Sequence, residues 1–216
     1  MKYGVLGTGN VARTIASKLI ELGHEVMTGS RSGDNPAAAL WTEQNGERAS
    51  HGTFADAAKF GERVFCCVQG IHTLEALQAA GERNLAGKIL IDLSNPFLHK
   101  DGNTSLDPQY SGWNSLGEEV QRMLPRTKVV KTLNYLGYGL MTRPGTLPEA
   151  ITGFYCGNDQ EAKQAVAALL RDFGWTDTMD LGDISRSRYT EMLGAFWPAV
   201  YGSLGHMDWG FKLIRK

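Results

Sequence analysis

Gly7-Thr8-Gly9-Asn10-Val11-Ala12 has glycines at its first and third positions and a small residue at its sixth. That spacing lets a strand-to-helix turn receive a dinucleotide diphosphate. Gly7 can take the tight turn, and Gly9 leaves no side chain between a phosphate and the backbone. Small Ala12 lets the helix lie close to the strand. Free N–H groups and the positive end of the helix dipole then meet the negative charge, with Asn10 and Val11 in the first turn. Thr28-Gly29-Ser30-Arg31 follows the second strand without the carboxylate that would grip the ribose hydroxyls of NAD; the first acid is Asp34. The hydroxyl of Ser30 and the guanidinium of Arg31 instead suit the 2′-phosphate of NADP(H), with Thr8 as a further hydroxyl.

A nicotinamide bound this way lies at the carboxyl ends of the later strands. Those ends read Val68-Gln69-Gly70, Ser94-Asn95-Pro96 and Leu133-Asn134-Tyr135. Asn95 and Asn134 suit hydrogen bonds to a carboxamide or a polar ring edge, and asparagine at a loop start equally suits a turn. Pro96 stiffens the wall. Phe97, Tyr135 and Tyr138 are candidates to line an acceptor pocket or to pack in the core. No residue reads as a general acid: there is no Tyr-x-x-x-Lys, Lys128 and Lys131 fall in a strand pattern, and His72 opens a helix. The hydride step itself between two flat redox rings needs stacking and alignment and no protein acid or base, so the pattern favours a ring-to-ring reaction over carbonyl reduction.

The elements that must position these residues alternate along the chain. Apolar runs predict strands at Tyr3–Leu6, Glu25–Thr28, Arg63–Val68, Lys88–Leu93, Lys128–Leu133 and Ile151–Cys156, with a weaker one near His51–Thr53. Helical spacing predicts Asn10–Leu22, Ala37–Gln44, Ala55–Phe60, His72–Ala80 and Ser115–Leu124, the last opened by a Ser115/Glu118 capping box. Asn158 and Glu161 mark a further helix start, and a helical tail begins near Ser185. Asn95–Gly112 and Gly137–Pro148 read as long loops. Alternating strands and helices imply an α/β fold with a doubly wound, mostly parallel sheet and a small C-terminal helical lobe. We expect an NADP-binding Rossmann domain over residues 1–150 and a strand–helix extension with a helical cap over 151–216.

Bulk properties exclude several classes. A net charge of −1 and the lack of any basic run argue against nucleic acid as a partner. No apolar run approaches membrane-spanning length, and the five histidines show no metal-ligand spacing. Cys66, Cys67 and Cys156 form an odd set; adjacent Cys66 and Cys67 point to opposite faces of a strand and read as buried, reduced thiols. With no leader visible, a cytoplasmic protein is expected.

Gly7-Thr8-Gly9-Asn10-Val11, Thr28-Gly29-Ser30-Arg31, Asp92-Leu93-Ser94-Asn95-Pro96 and Lys128-Val129-Val130-Lys131-Thr132-Leu133-Asn134 together resemble the coenzyme F-420 (deazaflavin)-dependent NADP oxidoreductases. The likeness continues through Gly157-Asn158-Asp159 to Phe211-Lys212-Leu213-Ile214-Arg215. It implies a Rossmann domain with a small C-terminal lobe, NADP(H) along the sheet, a cleft for a deazaflavin, and a homodimer. The activity expected is hydride transfer between nicotinamide and a small-molecule redox acceptor: a deazaflavin, another flavin, a quinone or a small carbonyl. The alternative is a non-catalytic NADP(H) sensor. A β-hydroxyacid dehydrogenase-like enzyme would need a longer helical C-terminal domain than the residues after Ile151 supply.

Overall fold

Buried on both faces, the strands near the N-terminus read as continuous apolar runs because each face meets a different helical layer. In the computed structural model, which describes residues 1–216, Tyr3 and Val5 of β1 (Lys2–Leu6) enter one core and Leu6 enters the other. Phe65 of β4 (Arg63–Cys66) and Ile91 of β5 (Ile89–Asp92) join the first core, while Val64, Cys66 and Leu90 join the second. The remaining strands are β2 (Glu25–Ser30), β3 (Ala49–Thr53), β8 (Lys128–Thr132), β9 (Thr152–Gly157) and β10 (Asp177–Asp180).

These eight form one sheet in the order β10-β9-β8-β5-β4-β1-β2-β3. The six strands from β3 to β8 run parallel; β9 is antiparallel to β8, and β10 is parallel to β9. The order reverses between β1 and β4, the switch point at which a ligand crevice opens in such sheets. One face carries α1 (Asn10–Glu21) and α8 (Gln160–Asp172); the other carries α3 (Phe54–Phe60), α4 (Thr73–Ala80) and α6 (Leu116–Met123). The fold is α/β with a mostly parallel sheet, closed by the long α9 (Ser187–Leu204) and a non-helical tail.

Several local expectations change. Within the stretch read as a loop from Asn95 to Gly112 lies an antiparallel hairpin, β6 (Phe97–Lys100) with β7 (Asn103–Leu106). Its two-residue turn is Asp101-Gly102, both at positive φ, the Asp-Gly pairing that favours a tight hairpin. The Gly137–Pro148 loop holds the short α7 (Tyr138–Thr142). Asp-Thr-Met-Asp of β10 has no apolar alternation to predict a strand; its backbone is recruited by β9. The α8 cap is Asp159, which accepts from Ala162 N–H at 2.8 Å, whereas Asn158 accepts from Ile184 N–H at 3.0 Å.

Candidate active site

The exit of β1 is shaped by one residue that must be glycine. Gly7 has φ +123°, and a Cβ there would stand 2.8 Å from the Cys67 carbonyl oxygen. Its N–H donates to Gly29 O at 2.8 Å while Cys67 N–H donates to Leu6 O at 2.9 Å, so the ends of β1, β2 and β4 are tied together. α1 then starts from Gly9, with no side chain capping its amides and no acidic residue in its first turn. Nothing stands within 4 Å of where a Cβ on Gly9 would lie. Uncapped amides facing open space fit a diphosphate.

That space is a cavity of about 410 Å³, lined among others by Gly7, Thr8, Gly9, Ser30, Arg31 and Gln69. Ser30 is buried and its hydroxyl donates to the Ser32 carbonyl. Arg31 is exposed and joins no ion pair. Asn10 lies on the surface, its Oδ1 accepting from Arg13 at 2.8 Å. A second cavity of about 260 Å³ shares Cys67, Val68 and Gln69 with the first and adds Val11, Ser94, Asn95 and Phe97. The two form a continuous cleft over the switch point.

Gly70 brings the exits of β4 and β5 together: a Cβ there would overlap Asn95 O at 1.8 Å. Pro96 is buried, and its carbonyl accepts from Asp107 N–H at 2.7 Å, fastening the base of the hairpin. Asn95 and Asn134 bond each other. Asn95 Nδ2 donates to Asn134 O at 2.5 Å and Asn134 Nδ2 donates to Asn95 Oδ1 at 2.8 Å, under Gly194 of α9.

Asn10, Pro96, Asn134, Tyr135 and Tyr138 differ from the sequence reading: none lines either cavity. Leu133 has φ +60°, which breaks the strand's alternation, and Leu133, Asn134 and Tyr135 are all buried. The Tyr135 hydroxyl accepts from Phe154 N–H and its ring packs on Phe154 and Phe211. Tyr138 is half-buried against the first core.

Sequence reasoning missed the charged cluster beneath the site. Asp92 and Lys131 are register partners on β5 and β8. Lys131 Nζ lies 2.8 Å from Asp92 Oδ2 and 3.0 Å from Glu191 Oε1, with all three side chains fully buried. The other Asp92 oxygen accepts from Ser94 N–H at 2.9 Å and Ser94 Oγ at 2.6 Å, fixing the loop that walls the second cavity. Glu191 accepts from the N–H groups of Leu116 at 3.1 Å and Gly117 at 3.0 Å, so α9 caps α6. Burial alone would lower the Lys131 pKa, but the Asp92 and Glu191 charges together carry it well above the ordinary lysine value. Burial raises the Glu191 carboxyl against the pull of Lys131 and those two amides. A lysine inside Val129-Val130-Lys131-Thr132, on a strand covered on both faces, was the available signal.

The cysteines are free thiols. Burial, then the Asp92 charge, pushes Cys66 up to about 12, and burial likewise raises Cys67. Neither has the depressed pKa of a reactive thiol.

This strand order, with a Gly-x-Gly turn and an uncapped helix start at its switch point, defines a Rossmann-type dinucleotide-binding protein. Residues 2–96 match the family described as NADP oxidoreductase coenzyme F420-dependent. The whole chain also superposes on the whole of a crystal structure from Arthrobacter sp. FB24, provisionally assigned as an F420-dependent NADP-reductase, at 41% identity and a TM-score of 0.93. The chain belongs to this family and is an NADP-dependent oxidoreductase. The F420-dependent NADP reductase of Methanocaldococcus jannaschii is 26% identical over 89% of both chains. Metalloreductase STEAP3 of Rattus norvegicus is 29% identical over 89% of this chain, which spans only 36% of that longer protein. No helix is long and apolar enough to cross a membrane.

Proposed function

We propose that NADPH lies along the joined cleft and that the second cavity takes a flat two-electron ring acceptor of the deazaflavin class. The observation that carries this reading is the meeting of the two cavities at Cys67, Val68 and Gln69, over the sheet's switch point. The names of the Arthrobacter and Methanocaldococcus relatives support the acceptor class. Gly7, Thr8, Gly9 and Asn10 surround the diphosphate, Val11 lies next to it on the wall of the second cavity, and Ser30 and Arg31 receive the 2′-phosphate. Bound there, NADPH supplies the hydride. Val68, Gln69, Ser94, Asn95 and Pro96 hold the reacting half in register, while Phe97 walls the acceptor side. The Asn95–Asn134 pair acts at one remove, by fixing the Asn95 backbone.

Absorbance assays of NADPH oxidation against 5-deazariboflavin, FMN, FAD, menadione and aldehydes test the reading. Turnover strongest with the deazaflavin is expected; tight NADPH binding with no oxidation across the panel would replace the enzyme with a sensor. Arg31→Ala should reduce NADPH affinity by about 1–3 kcal/mol in calorimetry and leave NADH little changed, because a charge-assisted contact to one phosphate is removed. Equal losses would reassign Arg31.

The reading also includes a homodimer in a reducing cytoplasm, in keeping with three free cysteines. Tyr189, Met192 and Phe196 are exposed on one face of α9 and would form its apolar contact. Phe196→Glu should then convert a dimer to a monomer in analytical ultracentrifugation; a monomeric parent protein would remove this part.

A further inference from the structure

Hydride transfer to a two-electron ring leaves the acceptor one negative charge richer until a proton arrives. The acceptor half of the cleft must supply that proton or admit it. The second cavity is lined by backbone, apolar and amide groups, Ser94, and two residues with a titratable side chain, Cys67 and His99. Burial raises the Cys67 thiol well above its ordinary value, so it holds its proton.

His99 is differently placed. It sits on β6 two residues after Phe97, and so on the same face of the hairpin. Both residues line the cavity, with ring centroids 6.5 Å apart and planes at 73°. Thr104 is its cross-strand partner on β7, and the two side chains bond from His99 Nδ1 to Thr104 Oγ1 at 3.0 Å. That bond occupies one ring nitrogen and leaves Nε2 for a ligand. The hairpin is anchored at Pro96–Asp107 and packs through β7 on α9. His99 itself is exposed, so its ring can recover a proton from water.

We propose that His99 is the proton donor to the acceptor. This rests on the functional reading above. The hydride carries two electrons and forms one new C–H bond on the acceptor ring. The Nε2–H bond of the imidazolium breaks, its proton bonds to a ring nitrogen or oxygen of the acceptor, and the neutral imidazole keeps its Nδ1–H on Thr104. Water then returns the proton. The acceptors selected are those that take hydride plus proton, with a basic ring atom near the hydride-accepting carbon.

Two measurements test the assignment. In wild-type protein with labelled histidine, addition of 5-deazariboflavin should shift the His99 ring resonances and leave those of His206 in the tail unmoved. His99→Gln should bind NADPH as the parent does, oxidise it with 5-deazariboflavin about 10²-fold more slowly, and regain rate on addition of imidazole. An unmoved His99 resonance, or a variant within twofold of the parent rate, would overturn the assignment and leave the hydride reading standing. A parent protein that binds NADPH but oxidises it with no acceptor would remove both. Loss of NADPH affinity in His99→Gln would make the residue a structural support and not a donor.

Discussion

Lys131→Met is expected to lower the unfolding free energy by about 3–5 kcal/mol, the usual effect of removing one partner from a buried ion cluster. Methionine fills similar space, so the loss is electrostatic rather than steric. Asp92 and Glu191, both fully buried, would face each other without the cation that lies 2.8 Å and 3.0 Å from them. The pH dependence has a definite sign. Without Lys131, burial holds the Glu191 carboxyl still further above its unfolded value of about 4. The folded state then binds more protons than the unfolded state, so stability falls as pH rises through that range. Urea melts should show the deficit smallest near pH 4 and largest near neutrality. Adding Asp92→Asn and Glu191→Gln to Lys131→Met should restore part of the loss by removing the stranded charges. A flat deficit across pH, or no recovery, would mean that the cluster acts through packing. Because Asp92 also fixes Ser94, which holds the reacting half in register, the variant's NADPH Kd should rise together with its acceptor KM.

How far the sequence could be read follows from which forces act locally. The Gly7-to-Ala12 turn, the Ser115 cap and the apolar strands were legible because glycine geometry, capping and burial depend on neighbours in the chain. The hairpin at Asp101-Gly102 was legible in principle. Its Asp-Gly signal stands alone in the sequence, because β6 and β7 lie mostly at the surface and lack apolar alternation. β10 was not legible, since its pairing comes from a neighbour rather than from its own residues. The same holds within the site. Asn95 and Asn134 stand at strand ends, as their positions suggested, yet they bond each other because Gly194 brings α9 down over them. Tyr135 shows the limit most plainly. An aromatic beyond a strand end reads as a pocket wall until Leu133 turns the chain at φ +60° and buries it.

Gly9→Val should leave the fold intact and remove most of the nucleotide affinity, whereas Gly7→Ala should damage both. The two glycines differ in what a side chain would meet. Gly9 has φ −77°, which any residue adopts, and nothing stands within 4 Å of its missing Cβ. No folded-state contact therefore requires glycine there; the requirement comes from what enters the space. A branched side chain would stand between the diphosphate and the uncapped amides of α1. Losing even one such charge-assisted bond costs about 1.5–3 kcal/mol, or roughly tenfold or more in Kd. Gly7, by contrast, sits at φ +123° with the Cys67 carbonyl 2.8 Å from its missing Cβ, so alanine is strained with or without ligand. Calorimetry with NADPH alongside thermal melts of the unliganded protein separates the cases. An unchanged melting temperature for Gly9→Val with weakened NADPH binding would establish that the cradle is shaped for its ligand rather than for the fold. A destabilised Gly9→Val protein, or one that still binds NADPH at parental affinity, would place the diphosphate elsewhere.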